Sequence, residues 1–422
     1  MLLVNTFERG GAANACLRLH SGLLRAGVDS KVLLREKYKE IPQTFIIQPQ
    51  QKKIFNNQRL CKKIRTFLKL FGITYKSIED FKLSFFKNRD KRLEYFSFPD
   101  SSFDITASKL YKEADIINLH WVAEFLDYGS FFKKNTKPVI WTLHDMNPFS
   151  GGEHYEEEYL GMDENGYPIP RVITKIEKRL YNKIIALKFK ALEGVNNLHI
   201  VTLCTWMTEE VKKSKVLRNF PVHLIPNGID STVFKQRDKE ESRNRLNLPQ
   251  GKKVILFVAD SVDKDRKGFS FLKKAFEIID NKDIWLCSIG GQAQQILNSN
   301  QYLSLGTLND EVAMSYAYSA ADVFVIPSLM DNLPNTVLES LMCGTPVIGF
   351  PVGGIVDMVQ HGKNGYITEE INALSLLKTL QLFLAEGEKF NNREIRNNAL
   401  EKYNQNIQAD NYLKLYKSIL NK

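Results

Sequence analysis

Short apolar runs bounded by polar turns recur along the whole chain, and most are too brief to be helices. In the first half they fall at residues 2–6, 32–34, 116–119, 139–143, 198–203 and 222–225. In the second half they fall at 254–259, 284–289, 302–305, 323–326 and 346–349. Their continuity and β-branched content predict strands buried on both faces, as a parallel sheet requires. The segments between several of them have helical period. Residues 12–24 offer Ala15, Leu17, Leu19, Leu23 and Leu24 for burial and stop at Gly27, and residues 335–342 form a helix with its own glycine stop. The pattern predicts an α/β protein of two Rossmann-like halves. A chain of 422 residues exceeds what one core normally holds. The turn Pro226-Asn227-Gly228 marks the junction. We expect a first domain over 1–222, a second over 223–400 and a helical tail that ends the chain over 401–422.

Two acids give this frame its chemistry. Asp331 sits in the turn after the strand 323–326, and Glu339 lies on the helix that follows. Ligands of open α/β sheets collect outside the carboxyl ends of strands, beside helix N-termini. There, Asp331 can accept hydrogen bonds from sugar hydroxyls and Glu339 can hold a ribose diol. The plainer reading is a helix cap and a solvated side chain. His144 ends the strand 139–143 at the same kind of edge, His120 ends its neighbour, and Asp145 follows His144. A zinc site from His120, His144, His154 and Glu153 lacks a compact helical pair such as H-E-x-x-H, which weighs against it. Gly10 and Gly11 form a glycine turn before the first helix, where backbone N–H groups can approach a diphosphate or where a tight turn simply needs glycine. The outer glycines of a dinucleotide fingerprint are missing, and Asp29 comes before its strand rather than after it, so a nicotinamide enzyme is not expected.

The phrase D-(seven residues)-ESLMCGTPVI, with the glycine turn, His144, IPNGID, Lys267 and NGYI, resembles glycosyltransferase family 4. The resemblance implies the GT-B fold, with an acceptor-binding first domain, a nucleotide-sugar-binding second domain and a tail helix returning to the first. It implies transfer of a sugar from a nucleotide diphosphate with retention of configuration. On that reading His144 and Asp331 are catalytic. Donor binding falls to Gly10, Gly11, Arg266, Lys267, Thr307, Leu308, Asn332, Leu333, Asn335 and Glu339, and His120 and Asp145 lie on the acceptor side. Lys267 and Arg266 would take the diphosphate, Glu339 the ribose, Thr307 and Leu308 the base. Three departures stand out: Asp331 replaces the family's usual Glu, Ser261 stands where an arginine is usual, and Pro334 replaces a common glycine. The cysteine-rich loop that often follows the His144 phrase is here EHYEEEYLGMDENGYP, without cysteine. The family's setting implies capsule, lipopolysaccharide or other bacterial cell-surface polysaccharide synthesis, with a glycan or lipid-linked acceptor. No metal or other cofactor is expected. A GT-B nucleotide-sugar epimerase would share the fold but not this motif. A catalytically silent sugar-nucleotide-binding subunit is the alternative.

Composition changes this picture in one respect. The formal charge is +10, and basic residues crowd residues 52–92, among them Lys52, Lys53, Arg59, Lys62, Lys63, Arg65 and Lys69. A second basic stretch, 171–190, has apolar residues at helical spacing. No nucleic-acid module is visible, so nucleic acid is not an expected partner. The two readings left are peripheral contact with an anionic membrane and an ordinary solvated basic face. No run of about 18 apolar residues occurs, so no spanning helix is expected. The start, MLLVNTFERGG, has neither a basic leader nor a long apolar segment, so no signal peptide is expected. Cys16, Cys61, Cys204, Cys287 and Cys343 are scattered, which fits reduced thiols and a cytoplasmic location, with Cys204 and Cys287 as core filler.

Overall fold

The computed structural model describes residues 1–49, 78–279, 281–291 and 300–420. The basic residues from Lys52 to Lys76, and Cys61, lie outside them. The described residues build two parallel sheets. The first joins β1 (Leu2–Asn5), β2 (Lys31–Leu34), β3 (Thr44–Ile46), β4 (Ile117–Leu119), β5 (Val139–Thr142), β8 (Leu198–Thr202) and β9 (Val222–Leu224) in the order β3-β2-β1-β4-β5-β8-β9. The second joins β10 (Lys253–Ser261), β11 (Ile284–Gly291), β12 (Tyr302–Ser304), β13 (Val323–Ile326), β14 (Val347–Gly349) and β15 (Gly365–Ile367) in the order β12-β11-β10-β13-β14-β15. In both, the order reverses beside a central strand, so neighbouring crossovers leave in opposite directions and open a crevice at the carboxyl ends. β13 pairs with β14 from Phe324↔Val347 to Ile326↔Gly349, and all four of its residues are buried.

β6 (Tyr159–Met162) and β7 (Pro168–Pro170) form an antiparallel hairpin in the cysteine-free loop. Its turn is held by the Asp163 side chain, which accepts from the N–H groups of Asn165 and Tyr167. The hairpin leans on the second sheet's helices: Ala373 N–H donates to the Gly166 carbonyl at 2.9 Å, and Lys274 donates to the Glu164 carbonyl.

The tail is two helices rather than one, Asn392–Tyr403 and Gln405–Leu420. The break has a cause: Ile229 N–H donates to the Tyr403 carbonyl and Gln405 N–H to the Ile229 carbonyl, which fixes Asn404 in extended conformation. The second of these helices packs on the helix Gly11–Arg25 within the first sheet's core. Tyr412 hydroxyl bonds Thr142 at 2.9 Å, and Asn118 donates to Tyr416 at 3.1 Å. Gly22 permits the approach, since a Cβ there would meet the Ala409 Cβ at 3.2 Å.

Of the two basic stretches, the described part of the first is largely paired: Lys82 with Asp100, Arg89 with Glu153 and Arg92 with Asp90. The second forms the helix Lys175–Leu192, which buries Leu180, Ile184, Lys188 and Leu192. It leaves Ile176 and Phe189 exposed. Among the described residues, no helix is long and apolar enough to cross a membrane.

Candidate functional site

The site grows out of the turn between β13 and the helix Asn335–Met342. That turn is held tightly. A Cβ on Gly353 would lie 1.8 Å from the Asp331 carbonyl oxygen, and one on Gly354 would lie 1.8 Å from that of Asn332. Asp331 is buried, with Lys267 Nζ at 2.7 Å, the Arg266 guanidinium at 3.4 Å and the Ser328 hydroxyl donating at 3.2 Å. Burial opposes its charge, but Lys267 and Arg266 outweigh burial and hold the carboxyl below the usual carboxylate range. Both cations come from the turn after β10. Its Gly268 has φ +71°, and a Cβ there would sit 1.8 Å from the Pro327 carbonyl, so the lysine loop is pressed onto the end of β13.

Arg266 also crosses to the first domain, donating to Glu94 at 3.0 Å and lying 4.4 Å over the Tyr155 ring. Ser261, where the resemblance leads one to expect an arginine, donates to Asp263. Pro334 ends the turn, and the helix Asn335–Met342 has no side-chain cap. No side chain caps its N–H groups, although Val337 N–H donates to the Pro334 carbonyl at 3.1 Å, and the positive end of its dipole faces the turn that carries Asp331. Asn335 joins the two halves, donating to the Gly11 carbonyl at 2.8 Å and accepting from Asn227 at 3.0 Å. Gly10, at φ +90°, turns the chain into the helix that Gly11 begins.

Glu339 is neither solvated nor open. It is 7 % exposed and accepts from Arg18 at 2.7 Å and from the Tyr318 hydroxyl at 3.1 Å. Arg18 comes from the first domain's helix, lies 5.1 Å over the Phe234 ring and also binds Glu311 at 2.6 Å. Burial raises the Glu339 pKa, against the pull of Arg18. The sequence reading passed over Arg18, although an arginine one turn on from Ala15, on the buried face of an apolar helix, is a signal that it has a partner. It also passed over Glu94 and Tyr155.

The histidines form a pair. His120 Nδ1 and His144 Nε2 are 2.9 Å apart, with rings stacked at 5.2 Å. Burial pushes the His144 pKa down to about 4, against the nearby Asp145, and lowers that of His120. Both rings are neutral near pH 7. His120, expected on the acceptor side, is 3 % exposed and paired with His144. Asp145 accepts from Trp121 at 2.7 Å and Asn147 at 2.9 Å and pairs with His154. Glu153 binds Arg89 and Arg171, and among the described residues no cluster of His, Cys, Asp or Glu is arranged to hold a metal ion.

Asn332 ties the histidine strand to the Asp331 turn, donating to the Leu143 and His144 carbonyls at 2.9 and 3.1 Å. Cys204 is more than filler: its thiol, pushed up to about 12 by burial, donates to Asn332 Oδ1 at 3.1 Å. Leu333 is buried, while Thr307 is exposed and Leu308 half-buried in the loop beyond β12. A cleft of about 700 Å³ opens beside Glu94, lined by Phe86, Arg92, Tyr95 and Glu124 from the first domain and Lys264 and Asp265 from the second.

Two Rossmann-like sheets meeting at such a cleft define the GT-B class. Over residues 238–402 the chain matches the family model described as glycosyl transferases group 1. A curated relative, the putative teichuronic acid biosynthesis glycosyltransferase TuaC of Bacillus subtilis, is 29% identical over 49% of this chain. The chain spans about half the length of that relative, 49%. The fold is shared with a sucrose-phosphate synthase from Thermosynechococcus elongatus, at TM-score 0.68 and 18% identity, over 99% of this chain and 98% of that one. It is also shared with HepE of Anabaena, solved in complex with UDP and glucose, at TM-score 0.64 and 14% identity over 99% of each chain.

Proposed function

We propose that the protein is a retaining glycosyltransferase, moving a sugar from a nucleotide-diphosphate sugar to a glycan or lipid-linked acceptor in bacterial cell-surface polysaccharide assembly. The observation that carries this reading is the cluster of Asp331, Lys267 and Arg266 beside an uncapped helix start, within the part of the chain that matches the group 1 glycosyltransferase model. Lys267 and Arg266 supply positive charge for the leaving diphosphate, where charge develops in the transition state. Asp331 accepts from the sugar's hydroxyls, and Glu339 takes the ribose once Arg18 withdraws. His144 faces the reacting sugar. The acceptor hydroxyl attacks the anomeric carbon on the face the phosphate leaves. The new C–O bond forms as the C–O bond to phosphate breaks, and the departing phosphate oxygen takes the acceptor's proton.

The relative involved in teichuronic acid synthesis by name supports an envelope acceptor, and the HepE complex supports a UDP donor. Exposed Val172, Ile173 and Ile176 beside Lys175 and Lys178 support peripheral contact with an anionic leaflet on the cytoplasmic side. The test is transfer of labelled sugar from a panel of nucleotide sugars into a bacterial envelope lipid extract. Transfer that is lost in Asp331→Asn supports the reading. Nucleotide-sugar binding with no transfer into any extract would favour a silent subunit instead.

A further inference from the structure

Beside the histidine pair lies a small, partly open cavity lined by His120, Tyr128, Trp141, His144, Asp145 and Asn147, among others. About 10 Å³ of it is open to a water's centre, close to the least that holds one water molecule. Three of the lining residues are almost wholly buried: His120 is 3 % exposed, Tyr128 5 % and Trp141 0 %. Each carries a buried polar atom without a hydrogen-bond partner among the described residues: His120 Nε2, the Tyr128 hydroxyl and the Trp141 indole Nε1. One such atom is costly to leave unpaired, and three around one cavity are rarer still.

We propose that this cavity is a binding site for one ordered water, and that the water makes His120 a positioning residue that fixes the tautomer of His144. The logic is a count of donors and acceptors. The indole N–H only donates, so the water must accept there. The water keeps a second lone pair and two hydrogens, and in the proposed arrangement its hydrogens go to Tyr128 Oη and His120 Nε2. With Nε2 accepting, the neutral His120 carries its proton on Nδ1 and donates across 2.9 Å to His144 Nε2. His144 in turn carries its proton on Nδ1, the nitrogen outside the pair. It therefore offers the cleft an N–H donor, suited to a phosphate or sugar oxygen, and not a bare lone pair. The functional consequence rests on His144 facing the ligand, but the tautomer itself does not.

The test needs neither donor nor acceptor. Protein carrying 15N-histidine, with His120 and His144 assigned by single substitution to Gln, reports which ring nitrogen is protonated. The expected result is a pyrrole-type Nδ1 and a pyridine-type Nε2 on both rings, with a bound-water contact at the Trp141 indole proton. In Trp141→Phe the water contact disappears and the preference at His144 is lost, although Trp141 lies outside the pair. Tyr128→Phe, which keeps the indole donor, retains the Nδ1–H form and serves if Trp141→Phe does not fold. Protonated Nε2 on either ring in the wild type, no bound water at the indole, or an unchanged His144 signal in folded Trp141→Phe would overturn the proposal. A failure of sugar transfer would leave these readouts untouched, so the two readings fail separately.

Discussion

Replacing Arg18 by Met tests how the two domains share Glu339. Arg18 occupies Oε1 of that carboxylate and Tyr318 occupies Oε2. Each oxygen keeps a lone pair, but the group is only 7 % exposed, so a ribose diol reaches it only after Arg18 moves. Removing one partner of a buried ion pair costs about 3–5 kcal/mol. The second contact, to the 43 %-exposed Glu311, adds at most about 1 kcal/mol. The full cost is not expected in unfolding, because the pair spans the cleft. Opening the cleft solvates Glu339, and the protein takes whichever route costs less. Arg18→Met should therefore lose less than about 3 kcal/mol of unfolding free energy and become more open in solution scattering. Without Arg18, nucleotide no longer has to break a charged hydrogen bond worth about 1.5–3 kcal/mol, so its affinity should rise about tenfold or more. Calorimetric titration of UDP, ADP and GDP into wild type, Arg18→Met and Glu339→Gln measures this. Tighter binding in Arg18→Met and weaker binding in Glu339→Gln is the expected pair. If both substitutions weaken binding alike, Arg18 is itself a nucleotide contact and the competition argument is wrong.

Asp331→Asn removes the anion between Lys267 and Arg266, so pyrophosphate should bind more tightly and with steeper salt dependence while sugar transfer falls; equal or weaker pyrophosphate binding would count against the clamp. Gly268→Ala forces a side chain into left-handed backbone and onto the Pro327 carbonyl, at a cost of at least about 2 kcal/mol in urea unfolding. His144, with the buried His120 acting in the same direction, contributes a pH dependence. Its folded pKa of about 4 lies below the unfolded value, so the folded state binds fewer protons between the two. Its contribution is complete above about pH 6.5 and drains away as pH falls toward 4, by at most about 3 kcal/mol. The slope of melting temperature against pH over that window should flatten in His144→Gln.

The strand Val323–Ile326 and the helix Asn335–Met342 were legible to the residue, because a buried apolar run between turn signals leaves few choices. β3 was not, since Thr44–Ile46 is a three-residue edge strand with two exposed side chains. β15 escaped because it is as short and begins with glycine. The β6–β7 hairpin was missed although Asn165-Gly166 marks its turn. The acids, the lysine and His144 could be picked from the motif, and the structure brings Asp331, Lys267 and Arg266 together. Their partners could not be read: Arg18 and Glu339 are 321 residues apart, and nothing local in either segment specifies the other. His120 and Asp145 show the converse. Both stand at strand ends where ligands gather, and both have partners no local signal announced, the His144 ring and the His154–Trp121 pair.

The central claim, that the protein binds a nucleotide sugar through Glu339, is met most directly by thermal unfolding with a panel of UDP-, GDP- and ADP-sugars, on wild type and Glu339→Ala. A ligand at a hundred times its dissociation constant adds about 2.7 kcal/mol, a clear rise in melting temperature. The account predicts that one nucleotide sugar stabilises the wild type and that Glu339→Ala loses the effect. Stabilisation of both proteins alike, or of neither by any member of the panel, would contradict it.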